Sequence, residues 1–207
     1  MCLIVHKPAG TAIPHDLLVA AASLNGDGWG AMGHDVDGRL ILERHPTTTP
    51  EALIAAELRL RNSEIALHLR RRTRGRVEAA NAHPFEVDGG VYLMHNGNLP
   101  IAGQPAGHSD TRHLAERMLR PLAQRHFGLL ANTEFLSLFE MSLSASNKVV
   151  LYDHPRRRFS ILNRRHGVEF EGLWLSSVKW IDRALLPLTP VAEAQQRTWK
   201  AGEVAFL

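Results

Sequence analysis

Short apolar runs and helix-spaced apolar repeats divide this chain into clear elements. In "CLIVHK" an apolar run meets His6, Lys7 and then Pro8, which predicts a strand closed by a turn. "PHDLLVAAASLNG" carries apolar residues at helical spacing and ends on Asn25 and Gly26, which predicts a helix of about two turns. "GWGAMGH" and "RLILER" flank Asp37-Gly38 and predict a hairpin with a tight turn. "TPEALIAAELRLRN" predicts a helix capped by Thr49, with Pro50 at its first position and Glu51 in its first turn. "EIALHLR" and "VYLMH" read as core strands ending in polar residues, with an irregular segment rich in Arg, Ala and Asn between them. "SDTRHLAERMLRPLAQRHF" and "NTEFLSLFEMSL" predict helices, and "KVVLYD", "FSILNR" and "GLWLSS" predict late strands. Two sets of strands with helices between them, and no repeat or linker, imply one α+β domain over 1–207 with at least two sheets or layers.

Composition narrows the class. The 207 residues are 44% hydrophobic and 22% charged, and no stretch approaches the roughly 18 apolar residues of a membrane span. "CLIV" is too short for the core of an export signal, and the one cysteine excludes an internal disulfide, so the expected location is the cytoplasm. With 24 Lys and Arg against 21 Asp and Glu, the net charge of +3 is too small for a chain that is basic throughout.

The single cysteine stands second. Alone, such a cysteine reads as a small buried hydrophobe. If Met1 is removed, Cys2 carries both a thiol and an α-amine of pKa about 7.7–8, so that nucleophile and base are one residue. Such a site needs oxyanion donors and a substrate anchor. In "MHNGNL", Asn96 and Gly97 offer a side-chain amide and an approachable backbone N–H, although Asn-Gly by itself is also a hairpin turn. In "LHLRRRTRG", Arg70 ends a strand where a guanidinium can hold a carboxylate bidentately, or where a basic loop merely meets solvent. In "SDT", Asp110 either pairs with an ammonium or opens its helix favourably.

Taken in order, Cys2, "NGDGWG", "HLRRRTRG", "NAHPF", "HNGNL" and "SDT" resemble the class II glutamine amidotransferase domain, an N-terminal-nucleophile hydrolase. By motif the resemblance spans residue 2 to about 115, and it continues more loosely through "SNKVVLYD" and "GLWLSS". It implies a four-layer αββα sandwich of the N-terminal-nucleophile hydrolase type. It implies that Cys2 attacks the side-chain amide of glutamine, with its own amine moving the proton, and that Asn96 and Gly97 stabilise the oxyanion. Arg70 would bind the substrate α-carboxylate and Asp110 its α-ammonium, and Gly97 would also contact the substrate. His83 and Phe85 would support the active-site strand. Ammonia leaves, a γ-glutamyl thioester is hydrolysed, and no metal or cofactor takes part.

Two departures matter. Arg71, Arg72 and Arg74 surround Thr73 where the family carries an aromatic or small residue and then Ala-Thr, so the loop is unusually basic and a larger anionic ligand is an alternative to free glutamine. Familiar members also fuse this domain to a synthase, for which 207 residues leave no room. The expectation is therefore a separate synthase subunit that accepts ammonia, or a stand-alone amidohydrolase acting on a γ-glutamyl compound. Two other classes are weaker. The run Arg70, Arg71, Arg72, Arg74, Arg76 has no interleaved aromatic of the kind nucleic-acid modules use, and His108, Asp110 and His113 match no zinc spacing.

Overall fold

A computed structural model describes residues 2–73, 75–101 and 106–186; Met1, Arg74, 102–105 and 187–207 lie outside the described residues. Among the described residues ten strands form two antiparallel sheets. The first, in the order β3-β2-β4-β1-β10-β9, is built from β1 (Leu3–Lys7), β2 (Trp29–His34), β3 (Leu40–His45), β4 (Glu64–Leu69), β9 (Val168–Phe170) and β10 (Leu173–Leu175). The second, in the order β5-β6-β7-β8, holds β5 (Phe85–Asp88), β6 (Val91–Asn96), β7 (Lys148–Asp153) and β8 (Arg158–Leu162).

Helices α1 (His15–Ala22) and α2 (Pro50–Arg59) cover the outer face of the first sheet, where Leu17, Leu18 and Leu53 pack on Leu3, Val5, Leu67 and Leu175. A second helical layer covers the other sheet. It comprises α3 (Asp110–His113), a π-helical stretch (Leu114–Leu119), α4 (Arg120–Arg125) and α5 (Thr133–Ser142), with Leu114 and Leu119 set against Leu93, Val149 and Leu151. Between the sheets lies a third cluster of Ile4, Met32, Ala66, Met94, Val150, Tyr152 and Trp174. The result is the four-layer αββα sandwich.

Strand pleating sorts side chains by parity. On β1, β4, β6, β7 and β10, odd-numbered residues such as Leu3, Leu67, Leu93, Val149 and Leu175 face helices, while Ile4, Ala66, Met94, Val150 and Trp174 look into the space between the sheets. That parity places every polar even-numbered residue at a strand end on the rim of the inter-sheet space.

Local signals behave as the sequence predicts at α2, where the Thr49 hydroxyl accepts from Ala52 N at 3.2 Å and Pro50 opens the helix. Three details differ. The hairpin turn is a five-residue loop, since His34 pairs with Leu40, and Asp35 Oδ1 accepts from Asp37 N and Arg39 N inside it. The segment read as irregular contains β5, and β9 precedes β10; both are short strands whose state is set by their neighbours. The long helix predicted from Ser109 onwards is interrupted by its π-helical stretch.

Glu57 on α2 ties the helical layer to the loop after β1. Its side chain, 1% exposed, accepts from Arg61 Nη2 at 2.8 Å, Arg61 Nε at 3.2 Å and Ile13 N at 3.3 Å. Burial pushes the carboxyl pKa up, but the bonds from Arg61, Ile13 and His15 outweigh it and hold Glu57 below the ordinary value. Its contribution is therefore present above the ordinary carboxylate pKa and lost as pH falls through the depressed one. Glu57→Ala is expected to lower unfolding free energy by about 3 kcal/mol, since it strands a charged and a backbone donor; urea denaturation at neutral pH measures this.

Candidate active site

Cys2 immediately precedes β1, and its hydrogen-bond partners come from the ends of two other strands. Its backbone N donates to Asn96 Oδ1 at 2.9 Å, at the end of β6. Its Sγ lies 3.6 Å from Arg71 O, just beyond the end of β4. Asn96 Nδ2 donates to Ser176 Oγ at 2.9 Å, and the same hydroxyl accepts from Ile4 N at 2.8 Å, so β10 locks the Asn96 amide against the start of β1. Cys2, Arg70, Asn96, Lys148 and Ser176 all share the even parity that faces the other sheet, and all sit at the same end of the sandwich.

Three motifs hold these groups. In "NGDGWG", Arg70 N donates to Gly28 O at 2.7 Å, Asp27 N donates to Arg70 O at 3.1 Å, and Asp27 Oδ2 accepts from Arg72 N at 2.8 Å. Gly28 has φ +114°, and a Cβ there would strike His45 O, so no other residue fits this turn. In "NAHPF", Asn81 donates to Arg76 O and Gly107 O and accepts from Ser109 N, joining the far end of the arginine loop to the start of α3. In "HNGNL", Gly97 has φ +143°, and a Cβ would run into the Asn147 side chain. Asn147 is itself fixed: its Oδ1 accepts from His95 Nε2 at 2.9 Å, while His95 Nδ1 accepts from the Thr111 hydroxyl at 2.9 Å. Burial keeps His95 neutral, which this pattern of one donor and one acceptor requires.

Arg70 is 3% exposed, and its Nη1 donates to Arg76 O at 3.0 Å. Burial lowers its pKa, opposed by the neighbouring Cys2 and Asp27. Burial pushes the Cys2 thiol pKa up, against the bond to Arg71 O and the charge of Arg70. A thiol so placed is mostly protonated at neutral pH, and attack requires a base. Asp110, 5% exposed, opens α3 and accepts from Leu99 N at 2.8 Å through Oδ2 and from Thr111 N at 2.9 Å through Oδ1. It thereby anchors the turn that carries Gly97. The arginine run is not one exposed patch, because Arg70 points inward while Arg71 lies over the Trp180 ring at 4.9 Å.

Behind Arg70, His68 stacks on His83 with ring centroids 3.8 Å apart, and both rings are buried. Phe85 meets His83 edge-on. Sequence reasoning missed Ser176, Asn147 and Lys148. Each lies inside a stretch already compared with the family, "GLWLSS" or "SNKVVLYD", but only the folded chain brings them beside Asn96.

A family model described as glutamine amidotransferases, class II, matches residues 5–149, and the chain belongs to that family. Among solved structures, the glutamine phosphoribosylpyrophosphate amidotransferase of B. subtilis, complexed with ADP and GMP, is similar over 84% of this chain with a TM-score of 0.51 and 18% identity. The fold is thus that of the N-terminal-nucleophile hydrolases. This chain spans 41% of that enzyme's length. No curated protein matches. Family and fold together support hydrolysis of the glutamine amide in general. Among the described residues no helix is long and apolar enough to cross a membrane, and no group of three or more His, Cys, Asp or Glu is placed to hold a metal ion.

Proposed function

We propose that the chain is a single-domain cytoplasmic amidohydrolase in which Cys2, freed by removal of Met1, cleaves the side-chain amide of glutamine to glutamate and ammonia. The observation that carries this reading is the meeting of Cys2, Arg70 and Asn96 at one end of the sandwich, with the start of β1 held to Asn96 at 2.9 Å. The α-amine of Cys2 takes the thiol proton and the sulfur attacks the amide carbon. The oxyanion is met by the Asn96 amide and Gly97 N–H, the C–N bond breaks, and the amine returns its proton to the departing ammonia. Water then hydrolyses the γ-glutamyl thioester by the reverse proton path. Arg70 grips the α-carboxylate and Asp110 the α-ammonium, so that binding energy fixes the amide against the thiol. Ser176 orients Asn96, and no metal or cofactor takes part. Ammonia passes to a separate synthase subunit or is released.

The test is intact mass before and after exposure to an electrophilic glutamine analogue, together with ammonia release from glutamine. Loss of Met1 with a single adduct and ammonia production supports the reading, and a retained Met1 or an unlabelled protein ends it. In the same assay, Arg70→Lys is expected to raise KM for glutamine about tenfold or more with a smaller change in kcat, because an ammonium cannot reproduce a bidentate carboxylate clamp. A second reading, hydrolysis of a larger γ-glutamyl compound, is favoured by the cation described next.

A further inference from the structure

Lys148 opens β7 directly opposite Asn96 in the antiparallel register, on the face that looks between the sheets. It is 8% exposed. Among the described residues its ammonium has no hydrogen-bond or ion-pair partner, and the charge that reaches it is a second cation, Lys179, exposed on the loop after β10. Lysine is seldom this buried unless it is paired. Lys7, the other deeply buried lysine, illustrates the rule, donating to Arg61 O at 2.7 Å and Ser63 O at 2.8 Å. Lys148 is placed to receive an anion.

The order of the strands says which part of a substrate that anion belongs to. In the first sheet β1 lies between β4 and β10. Across the inter-sheet space Cys2 meets Asn96 of β6, His68 of β4 meets His83 just before β5, and Trp174 of β10 donates to Arg164 O just after β8. The two sheets therefore run in the same lateral order. Arg70, at the end of β4, stands on one side of the thiol, and Lys148, on β7, stands on the other; the charge of Lys179, on the loop after β10, reaches Lys148. If Arg70 holds the glutamate end, the far side receives the amine released when the C–N bond breaks.

We infer that Lys148, with Lys179, forms a subsite for a carboxylate on the leaving amine, so that the chain's substrate class is γ-glutamyl amino acids rather than free glutamine alone. This rests on the reading of Cys2 as nucleophile. The chemistry keeps the same balance: sulfur bonds to the carbonyl carbon of the γ-glutamyl amide, the C–N bond breaks, the amino acid leaves with the proton carried by the Cys2 amine, and water then frees glutamate. Nothing beyond water is consumed.

The test compares γ-glutamylglycine with γ-glutamylglycinamide, which differ only in a carboxylate on the leaving group, using the processed full-length chain. We expect kcat/KM to favour the carboxylate about tenfold or more, and Lys148→Met to bring the ratio close to one while Lys148→Arg retains most of it. Lys179→Ala, at an exposed position, is expected to cut the ratio about threefold and serves where Lys148→Met does not fold. A wild-type ratio near one, or a ratio that neither Lys148→Met nor Lys179→Ala changes, overturns the subsite. Labelling of Cys2 by the electrophilic glutamine analogue separates the two claims. A labelled, active protein indifferent to the carboxylate loses only the Lys148 subsite, whereas an unlabelled protein that cleaves neither compound removes the Cys2 chemistry and the subsite together.

Discussion

Cys2→Ala is expected to reduce glutamine hydrolysis by roughly 10⁴-fold or more and to abolish labelling by an electrophilic glutamine analogue, since it removes the thiol proposed as the nucleophile. The geometry makes the loss specific. Alanine keeps the backbone N that donates to Asn96 Oδ1, so the strand end and the Asn96–Ser176 bond are retained and the variant should unfold at nearly the same urea concentration as wild type. Because burial raises the thiol pKa, the proposed mechanism takes its base from the amine. A protein carrying an extra residue ahead of Cys2, its amine locked in a peptide bond, should therefore be as inactive as the alanine variant despite an intact thiol. Activity from such an extended protein would remove the amine from the mechanism. Retained activity in Cys2→Ala would remove Cys2 itself.

The second large effect is on stability in acid. Burial pushes the His68 pKa down to about 3, with the charge of Arg70 acting in the same direction, and His83 is held well below the ordinary value by burial and by His68 itself. Between about pH 6.5 and 3 the unfolded chain binds protons at these imidazoles that the folded chain does not. Stability is thus greatest above pH 6.5 and falls as pH drops. His68 alone contributes about 1.4 kcal/mol per pH unit until the folded group protonates. Unfolding free energy from urea curves at pH 7, 6, 5 and 4 should decline accordingly. His68→Phe, which keeps a ring against His83, should reduce the slope by the equivalent of one proton. A flat wild-type profile over this range, or an unchanged slope in the variant, would show that the pair is solvated or already charged.

What could be read from the sequence was local or motif-bound. The Thr49 cap and the buried core strand β6 need only their immediate neighbours and appear where expected, and α1 forms as predicted but ends at Ala22, ahead of Asn25 and Gly26. The family motifs became legible as a set because each holds a strand end: Asp27 clasps the loop at Arg70, and Asn81 joins that loop to α3. β5 and β9, of four and three residues, were not legible, since so short a run takes its conformation from the strand beside it. Nor was Ser176. Its hydroxyl meets Asn96 across 80 positions of chain, and nothing in "GLWLSS" marks one serine as a partner of a distant amide. Lys148 was hidden in another way, because a lysine at the start of a strand normally reads as a solvated end and only the register opposite Asn96 makes it an inward-facing one.

The pairing of β1 has a consequence for how the protein is made. Leu3 pairs with Leu69 on one side and His6 with Trp174 on the other, so the strand that follows Cys2 waits for most of the chain before both its neighbours exist. On a ribosome, which releases the N-terminus first, those residues emerge early, and even after β4 is made the edge of β1 that takes β10 stays open while roughly a hundred later residues are added. An aminopeptidase has that whole interval in which to reach the leading residue. Once β10 inserts, the start of β1 is clasped by Asn96 and Ser176 and the opportunity narrows. On the proposed reading of Cys2, trimming and folding compete in time, and the pace of translation becomes one determinant of how many chains carry a free α-amine on Cys2.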